Sequence, residues 1–427
     1  MSELRRREFG GSNITTKEYI ELENQYGARN YLPLDIVLQR GRGVWLTDVE
    51  GNRYLDCLAA YSAVNQGHCH PRILEAFLKQ AVKLTLTSRA FRNDQLPLLY
   101  QQLHDLTGYE TVLLMNSGAE AVETAIKAAR KWSYLVKGIA ENRAEIICAD
   151  GNFHGRTTTI VGFSTEEQYR KDFGPFTPGF VITRYGDAGD LRSKITPNTA
   201  AFLVEPIQGE AGIVVPPEGY LREAARICRE NNVLFIADEI QSGLGRSGRL
   251  FAFEYENVRP DAVIIGKALS GGFYPVSAVL SRKDVLGVFQ PGDHGSTFGG
   301  NPLAAATARA ALQVLVEENL VQRSYELGQY FMQRLRTIRS PRLKQVRGRG
   351  LWIGLVLDEP ARPFCEALKE LGILCKETHD YVVRIAPPLV ITREEIDWAF
   401  ERIASLFHSH NSPKNVSSIE KELVCQK

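Results

Sequence analysis

The feature that most constrains this chain is an alternation of short apolar runs with helix-like segments between about residues 70 and 290. Runs of four or five apolar residues bounded by turn residues are typical of buried strands, and the segments between them space their apolar residues at helical intervals. Because strands alternate with helices, we predict a mostly parallel sheet covered by helices on both faces. The strand candidates are Thr111–Met115, Glu145–Cys148, Ala201–Val204, Val233–Ala237 and Ala262–Ile265.

The length of the chain predicts more than one domain. It has 427 residues, whereas a single hydrophobic core stops growing near about 250–300 residues. A second, shorter α/β pattern follows the first, so we expect a large domain over 61–309 and a smaller C-terminal α/β domain over 310–410. Residues 1–60 are predicted to pack with the small domain, and 411–427 to form a polar tail.

Composition and charge exclude several classes of function. Lys and Arg number 51 against 50 Asp and Glu, so no excess of positive charge attracts nucleic acid or an anionic membrane. No apolar run approaches the roughly 20 residues that span a bilayer. The seven cysteines are scattered without a CxxC pair, and the N-terminus lacks the apolar core of a signal peptide. We therefore expect a cytoplasmic protein with free thiols.

Two charged residues that follow strand candidates carry the sharpest chemical signal. Asp238 comes directly after Ala237, and Lys267 lies two residues after Ile265. The carboxyl ends of parallel strands meet at one edge of a sheet, where ligand sites lie. A pyridoxal phosphate (PLP) enzyme needs this pair, because the lysine forms the Schiff base and the acid keeps the pyridine nitrogen protonated. Taken singly, each residue is more often a surface charge.

Two turns suit a phosphate group. Residues 115–121 lead from a strand candidate through a small-residue turn into a helix, whose free N–H groups favour an anion. Ser117 can add a hydroxyl there, although ordinary helix capping explains the pattern equally well. The glycine-rich loop 295–301, which contains Ser296 and Thr297, is a second, weaker candidate.

Two other patterns are rejected as functional motifs. Residues 243–248 satisfy GxGxxG, but 249–260 lack the helical period into which a dinucleotide-binding turn opens. A dehydrogenase is therefore a distant alternative. His68 and His70 flank Cys69, yet no second Cys/His pair stands at zinc spacing, so we expect no metal site.

With these motifs in order, the chain resembles the class III (subgroup II) aminotransferases of PLP fold type I, from about residue 26 to 407. Within that family it most resembles the members that act on ornithine. The resemblance implies a mostly parallel, seven-stranded type of sheet in the large domain, PLP as cofactor, and a homodimer or higher homo-oligomer. The stretches that carry it are 26–34, 60–71, 153–156, 209–212, 234–267 and 384–388.

The resemblance also implies a role for each matched residue. Lys267 is the expected Schiff-base lysine and catalytic base, and Asp238 the expected partner of the pyridine nitrogen. The other expected cofactor contacts are Phe153 on the ring, Gln241 at the ring hydroxyl, and Ser117, Gly118, Ala119, Ser296 and, from the other subunit, Thr297 at the phosphate. The expected substrate-binding residues are Tyr31, Tyr61, Arg156, Glu210 and Arg384, of which the last two also take part in catalysis.

The implied reaction is a ping-pong transfer of the δ-amino group of ornithine to 2-oxoglutarate, which gives glutamate 5-semialdehyde and glutamate. Arg384 suits the carboxylate of the keto acid, because a guanidinium matches it bidentately. We expect Glu210 to neutralise Arg384 while ornithine is bound and to move away for the keto acid. A permanent ion pair is the alternative for these two residues.

The sequence leaves other functions open. A 4-aminobutyrate or N-acetylornithine aminotransferase is the first alternative, and a semialdehyde aminomutase shares the fold and cofactor but needs no external keto acid. A non-catalytic scaffold is a third alternative. Whether the reaction serves proline synthesis or arginine breakdown also stays open.

Overall fold

The computed structural model describes residues 14–408, which form three β-sheets and the helices that cover them. The predicted polar tail 411–427 lies outside the described residues. The helices are α1 (Thr16–Tyr26), α2 (Ala59–Ser62), α3 (Pro71–Ala81), α4 (Leu96–Thr107), α5 (Gly118–Trp132), α6 (Thr158–Gly162), α7 (Glu167–Arg170), α8 (Ala188–Lys194), α9 (Tyr220–Glu230), α10 (Lys283–Leu286), α11 (Pro302–Glu317), α12 (Leu320–Leu335), α13 (Arg362–Glu370) and α14 (Arg393–His408).

The strands are as follows: β1 (Leu38–Arg42), β2 (Trp45–Asp48), β3 (Arg53–Asp56), β4 (Thr111–Met115), β5 (Glu145–Ala149), β6 (Phe180–Thr183), β7 (Thr199–Val204), β8 (Leu234–Asp238), β9 (Ala262–Ile265), β10 (Ser277–Ser281), β11 (Leu343–Arg349), β12 (Trp352–Leu357), β13 (Ile373–Leu374), β14 (Lys376–Thr378) and β15 (Val382–Ile385).

The largest sheet has seven strands in the order β4-β10-β9-β8-β7-β5-β6. Strands β5 to β9 pair in parallel, and β10 runs antiparallel to both of its neighbours, β9 and β4. Strand β4 therefore points the same way as the parallel strands. As a result, the carboxyl ends of β4, β5, β7, β8 and β9 lie at one edge of the sheet, where α/β proteins place their ligands.

Burial on both faces fixes this sheet. Every residue of β7, β8 and β9 is buried. Successive side chains point to opposite faces, so Phe235 and Ala237 pack into one apolar cluster and Leu234 and Ile236 into the other. A shift of one residue in pairing would exchange the two sets of side chains, and the register is therefore strongly specified.

Two four-stranded sheets lie outside the large one, in the orders β1-β2-β3-β13 and β11-β12-β15-β14. The first sheet joins the N-terminal hairpins to the C-terminal part of the chain, because β13 pairs in parallel with β3. The second carries Arg384 on β15, opposite Gly354 on β12. The N-terminal segment is thus hydrogen-bonded to the C-terminal region.

The strand–helix alternation and the mostly parallel sheet that we predicted are confirmed. Strands β6 and β10 were missed. Strand β10 returns antiparallel after β9 without an intervening α-helix, so it breaks the alternation on which the prediction rested.

The predicted domain boundary at 309/310 falls inside helix α11, which packs against α3 and α4, and the domain bounds stay predictions. Among residues 14–408, no helix combines the length and apolarity needed to cross a bilayer.

Candidate active site

A small cavity of about 210 Å³ opens at the edge of the large sheet where the carboxyl ends of its strands meet. Its walls come from the residues that follow β4, β5, β7, β8 and β9. The volume equals the share of about seven liquid waters. The lining residues are Gly118, Ala119, Phe153, His154, Gly155, Glu205, Asp238, Ile240, Gln241 and Lys267.

Lys267 enters this cavity from a strained backbone. It is the first residue of a short 3₁₀ turn after β9, and its φ is 42°. A side-chain-bearing residue rarely adopts the left-handed region, and such strain is concentrated at functional sites. Burial lowers the pKa of the Lys267 amine, while Glu210 and Asp238 act in the opposite direction. The neutral amine is therefore favoured relative to an exposed lysine.

Asp238 is held by a buried histidine. The Nδ1 atom of His154 lies 2.7 Å from Oδ2 of Asp238, and the backbone N–H of Ile240 donates to Oδ1 at 3.0 Å. Burial acts to lower the pKa of His154, but the hydrogen bond to Asp238 and its charge outweigh burial and raise it. Both carboxyl oxygens of Asp238 thus have hydrogen-bond partners, which a buried acid needs because an unpaired polar group is costly there.

Glu205 is a second buried acid in the same wall. Its Oε2 accepts a hydrogen bond from the backbone N–H of Phe153 at 3.0 Å, and its Oε1 accepts one from Gly209 at 3.4 Å. Burial raises the pKa of Glu205 to about 7, and His154 partly offsets that rise. Its protonation therefore changes near neutral pH, next to Asp238.

Glu210 and Arg384 meet beside the cavity. Nη1 and Nη2 of Arg384 lie 3.2 and 3.1 Å from the same oxygen, Oε1 of Glu210, which also accepts from Nε2 of Gln241 at 3.0 Å. Burial acts to raise the pKa of Glu210, but Arg384 and Gln241 reverse the effect and lower it. Because a single carboxylate oxygen receives these contacts, the pair is not the two-oxygen fork of a bidentate salt bridge.

Tyr61 lies next to this ion pair. Residues 59–62 all have positive φ, and Tyr61 itself has a φ of 57°. This irregular turn brings its ring to 5.2 Å from the guanidinium carbon of Arg384. Burial raises the pKa of Tyr61, so it stays a neutral phenol beside the pair.

The turn before α5 and the loop at 295–301 meet through side chains. The hydroxyl of Ser117 caps α5 in a reciprocal capping box with Glu120, so it is already engaged within the chain. A Cβ on Gly118 would lie 2.9 Å from Cδ1 of Ile240, so glycine allows the two residues to pack closely without a shift of that side chain. Ser296 accepts a hydrogen bond from Asn116 at 2.9 Å, whereas Thr297 is exposed and does not line the cavity of its own chain.

None of the five predicted substrate-binding residues is among those that line the cavity. Tyr31 has 76% of its surface exposed. The guanidinium of Arg156 stacks on Tyr169 at 3.7 Å from the ring centroid and lies 5.4 Å from that of Phe153, at the outer side of the cavity. The structure therefore brings Lys267 and Asp238 into the lining of one cavity, whereas Tyr31 and Arg156 lie outside that lining.

Sequence reasoning assigned no role to two residues of the site. His154 stands in the stretch 153–156 that we singled out, but nothing in the sequence shows that it contacts Asp238 across 84 positions. Glu205 follows β7 as Asp238 ends β8, and the same signal, an acid at the end of an apolar strand, was available for it.

The comparisons with known proteins agree with this geometry. The family model described as Aminotransferase class-III matches residues 26–407. A protein of Geobacillus sp. (strain WCH70), named ornithine aminotransferase, is 61% identical over 392 residues, which cover 92% of this chain and 98% of that protein. This chain belongs to the class III aminotransferases. The family is PLP-dependent, and the fold that we predicted, PLP fold type I, is confirmed.

Solved structures show the same fold over nearly the whole chain. The ornithine aminotransferase from Toxoplasma gondii, crystallised with oxidised glutathione, has a TM-score of 0.92 and 45% identity and covers 99% of both chains. It shows partial occupancy of PLP at its active site. The acetylornithine aminotransferase from Elizabethkingia anophelis has a TM-score of 0.84 and 48% identity, and the match covers 93% of this chain and 99% of that one.

The raised pKa of Glu205 predicts a pH-dependent stability that Glu205→Gln removes. Its pKa is 4.5 in an ordinary carboxyl group and about 7 in the folded chain, so the folded state binds the proton more tightly. The contribution of Glu205 to the free energy of unfolding is fully present below pH 4.5 and is lost as pH rises through about 7. Relative to the Gln variant, the free energy of unfolding of the cofactor-free wild type should fall by up to about 3 kcal/mol between pH 5 and 8.

Urea unfolding at several pH values measures this difference. Glu239, whose burial also raises its pKa to about 7, is present in both proteins and cancels. The exposed Glu218→Gln variant is the control and should follow the wild type. If the free energy of unfolding of Glu205→Gln changed with pH as steeply as that of the wild type, Glu205 would be ionised throughout the range. The interpretation would then be wrong.

Proposed function

We propose that this chain transfers the δ-amino group of ornithine to 2-oxoglutarate, with PLP held in the cavity between Lys267 and Asp238. The observation that carries the proposal is the contact of Arg384 with Glu210 at 3.1 Å beside that cavity. Such a pair lets one site accept substrates with and without a carboxylate next to the reacting carbon. The relatives named ornithine aminotransferase, at 61% identity over most of the chain, support it.

The residues around the cavity fit PLP. A ring that lies in the cavity has Phe153 on its wall and Asp238 as a carboxylate partner for a ring nitrogen. No described residue donates a hydrogen bond to the buried Oε1 of Gln241, which leaves this acceptor for the ring hydroxyl. The first turn of α5, at Gly118 and Ala119, supplies backbone N–H groups and the positive end of the helix dipole for a phosphate.

The chemistry of the cofactor defines what the protein must add. When bound, PLP supplies an aldehyde that condenses with amines and a ring that takes up electrons released at the neighbouring carbon. Lys267 is the base in this proposal: its Nζ accepts the proton from the δ-carbon of ornithine and later returns it. Burial lowers the pKa of that amine, which favours the neutral form that a base requires.

Asp238 has an electrostatic role. Its carboxylate keeps a proton on the ring nitrogen, and the buried His154 at 2.7 Å holds that carboxylate in place. The charge is effective because the position is buried and water does not screen it. Asp238 at the end of β8 and Lys267 just after β9 would thus both contact a bound ring from the ends of neighbouring strands.

Arg384 has a different partner in each of the two half-reactions. With ornithine bound, Glu210 neutralises Arg384, because an unpaired guanidinium that is 2% exposed is costly. With 2-oxoglutarate bound, the carboxylate of the keto acid replaces Glu210 on the guanidinium. Since Arg384 contacts only one oxygen of Glu210, the carboxylate can leave without breaking a bidentate fork.

The outer residues complete the proposed substrate site. In this proposal Arg156, which stacks on Tyr169, holds the α-carboxylate of ornithine, and Tyr31 holds its α-amine. We include a second subunit in the proposal, whose Thr297 contacts the phosphate, because Thr297 is exposed and outside the cavity of its own chain. A homodimer is then the smallest active unit.

Lys267→Ala should abolish this activity. The PLP-loaded wild type should convert ornithine and 2-oxoglutarate to glutamate 5-semialdehyde and glutamate, and the variant should lose about 10³-fold or more of the rate. Lys283→Ala, an exposed lysine on α10, is the matched control and should keep the wild-type rate. Turnover of the Lys267 variant near that of the control would refute the role of the amine.

The same assay separates the competing substrates. Ornithine should react faster than N-acetylornithine or 4-aminobutyrate, and without 2-oxoglutarate no more than one equivalent of glutamate 5-semialdehyde should form per PLP site. If N-acetylornithine reacted faster, the chain would be an acetylornithine aminotransferase, as the similar protein from Elizabethkingia anophelis is named. Continued turnover without a keto acid would indicate an aminomutase.

Glu210→Ala should impair the ornithine half-reaction at least about tenfold more than the 2-oxoglutarate half-reaction. The reason is that Arg384 has no partner in this variant while ornithine is bound. In the other half-reaction, the carboxylate of 2-oxoglutarate still pairs with Arg384. Single-turnover absorbance measurements of each half-reaction test this difference. Glu218→Ala, an exposed acid outside the site, is the control, and equal losses in both halves for Glu210→Ala would show a permanent structural ion pair.

A further inference from the structure

A second pocket, of about 470 Å³, lies at the opposite edge of the large sheet, where β8 and β9 begin and β10 ends. Phe235 lines this pocket and Asp238 lines the active-site cavity, so three residue steps of β8, about 10 Å, separate the two linings. The lining residues are Trp132, Arg222, Ala225, Arg229, Asn232, Val233, Leu234, Phe235, Asn257, Val258, Arg259, Asp261 and Arg282.

Four arginines line this pocket against one lining acid, Asp261. Arg282 is neutralised, because it pairs with Asp261 and also with Asp284, whose Oδ1 lies 2.9 Å from its Nε. The other three arginines make no salt bridge with any described carboxylate. The pocket therefore has more positive charge than its own carboxylates balance.

Arg259 is fixed in place without being neutralised. Its Nη1 and Nη2 donate to the carbonyl oxygens of Thr107 and Gly108 at 3.3 and 2.9 Å, and its guanidinium stacks on Tyr109 at 4.3 Å from the ring centroid. A guanidinium held in this way loses little side-chain entropy when it binds an anion.

The two arginines on helix α9 face the same pocket. Arg222 donates from Nε only to the backbone oxygen of Glu256, at 3.4 Å, while the Glu256 carboxylate accepts from the Arg222 backbone N–H. No described residue accepts a hydrogen bond from the side chain of Arg229. Three guanidiniums from two different segments thus surround one concave space whose floor is the start of β8.

We propose that this pocket is a binding site for a small polyvalent oxyanion, separate from the active site. Guanidinium groups bind phosphate and carboxylate oxygens with charge-assisted hydrogen bonds. Phosphate esters and polycarboxylates share this chemistry, and the volume accepts a small molecule of either kind. The site lies outside the machinery of the proposed transamination, so its failure and that of the proposed function are distinguishable.

The test is calorimetric titration of the PLP-loaded protein at constant ionic strength, with pyrophosphate in one arm and citrate in the other. We expect one anion to bind per chain. Arg229→Gln should weaken binding about tenfold, which corresponds to the loss of one charge-assisted hydrogen bond. The side chain of Arg229 is exposed and makes no salt bridge with a described residue, so the variant should fold and keep the wild-type transamination rate.

Arg226→Gln is the matched control, because Arg226 lies on the same helix but pairs with Glu223 and Glu230 outside the pocket. It should bind the anion as the wild type does. Binding of pyrophosphate alone or citrate alone supports the site and assigns its ligand class. Absence of binding in both arms, or equal binding by Arg229→Gln and the wild type, overturns the proposal.

Discussion

The pairing of β8 with β9 is the constraint on which the candidate active site depends. The two strands are parallel, and Asp238 is paired with Ile264, three residues before Lys267. The side chains on both faces of these strands are buried in separate apolar clusters, so a one-residue slip would place apolar groups and charges on the wrong sides. The distance between acid and amine is therefore set by packing along the strands as well as by local contacts.

The same burial makes the electrostatics of the site possible. Asp238, Glu205 and Glu210 all lie in or beside one small cavity, and such acids are stable there only if each finds partners. His154 is hydrogen-bonded to Asp238, backbone N–H groups donate to Glu205, and Arg384 forms a salt bridge with Glu210. Burial nevertheless raises the pKa of Glu205, whereas Arg384 lowers that of Glu210, although both are glutamates on one loop.

The sequence predicted the parts of the molecule that follow from local pattern. The parallel strands β5, β7, β8 and β9 and the acid at the end of β8 were visible because apolar runs and strand ends are local features. The contact of His154 with Asp238 and the single-oxygen contact of Glu210 with Arg384 were not visible, because they join residues 84 and 174 positions apart. The left-handed backbone of Lys267 was also hidden, since lysine gives no signal for positive φ.

The central claim is that the amine of residue 267 holds the cofactor opposite Asp238. Borohydride reduction of the PLP-loaded protein fixes the cofactor to whichever amine it is joined to, and peptide mapping by mass spectrometry then locates it. The account predicts one modified peptide per chain, with the added mass on Lys267. A modified peptide that contains a different lysine, or the absence of any modified peptide, would contradict it.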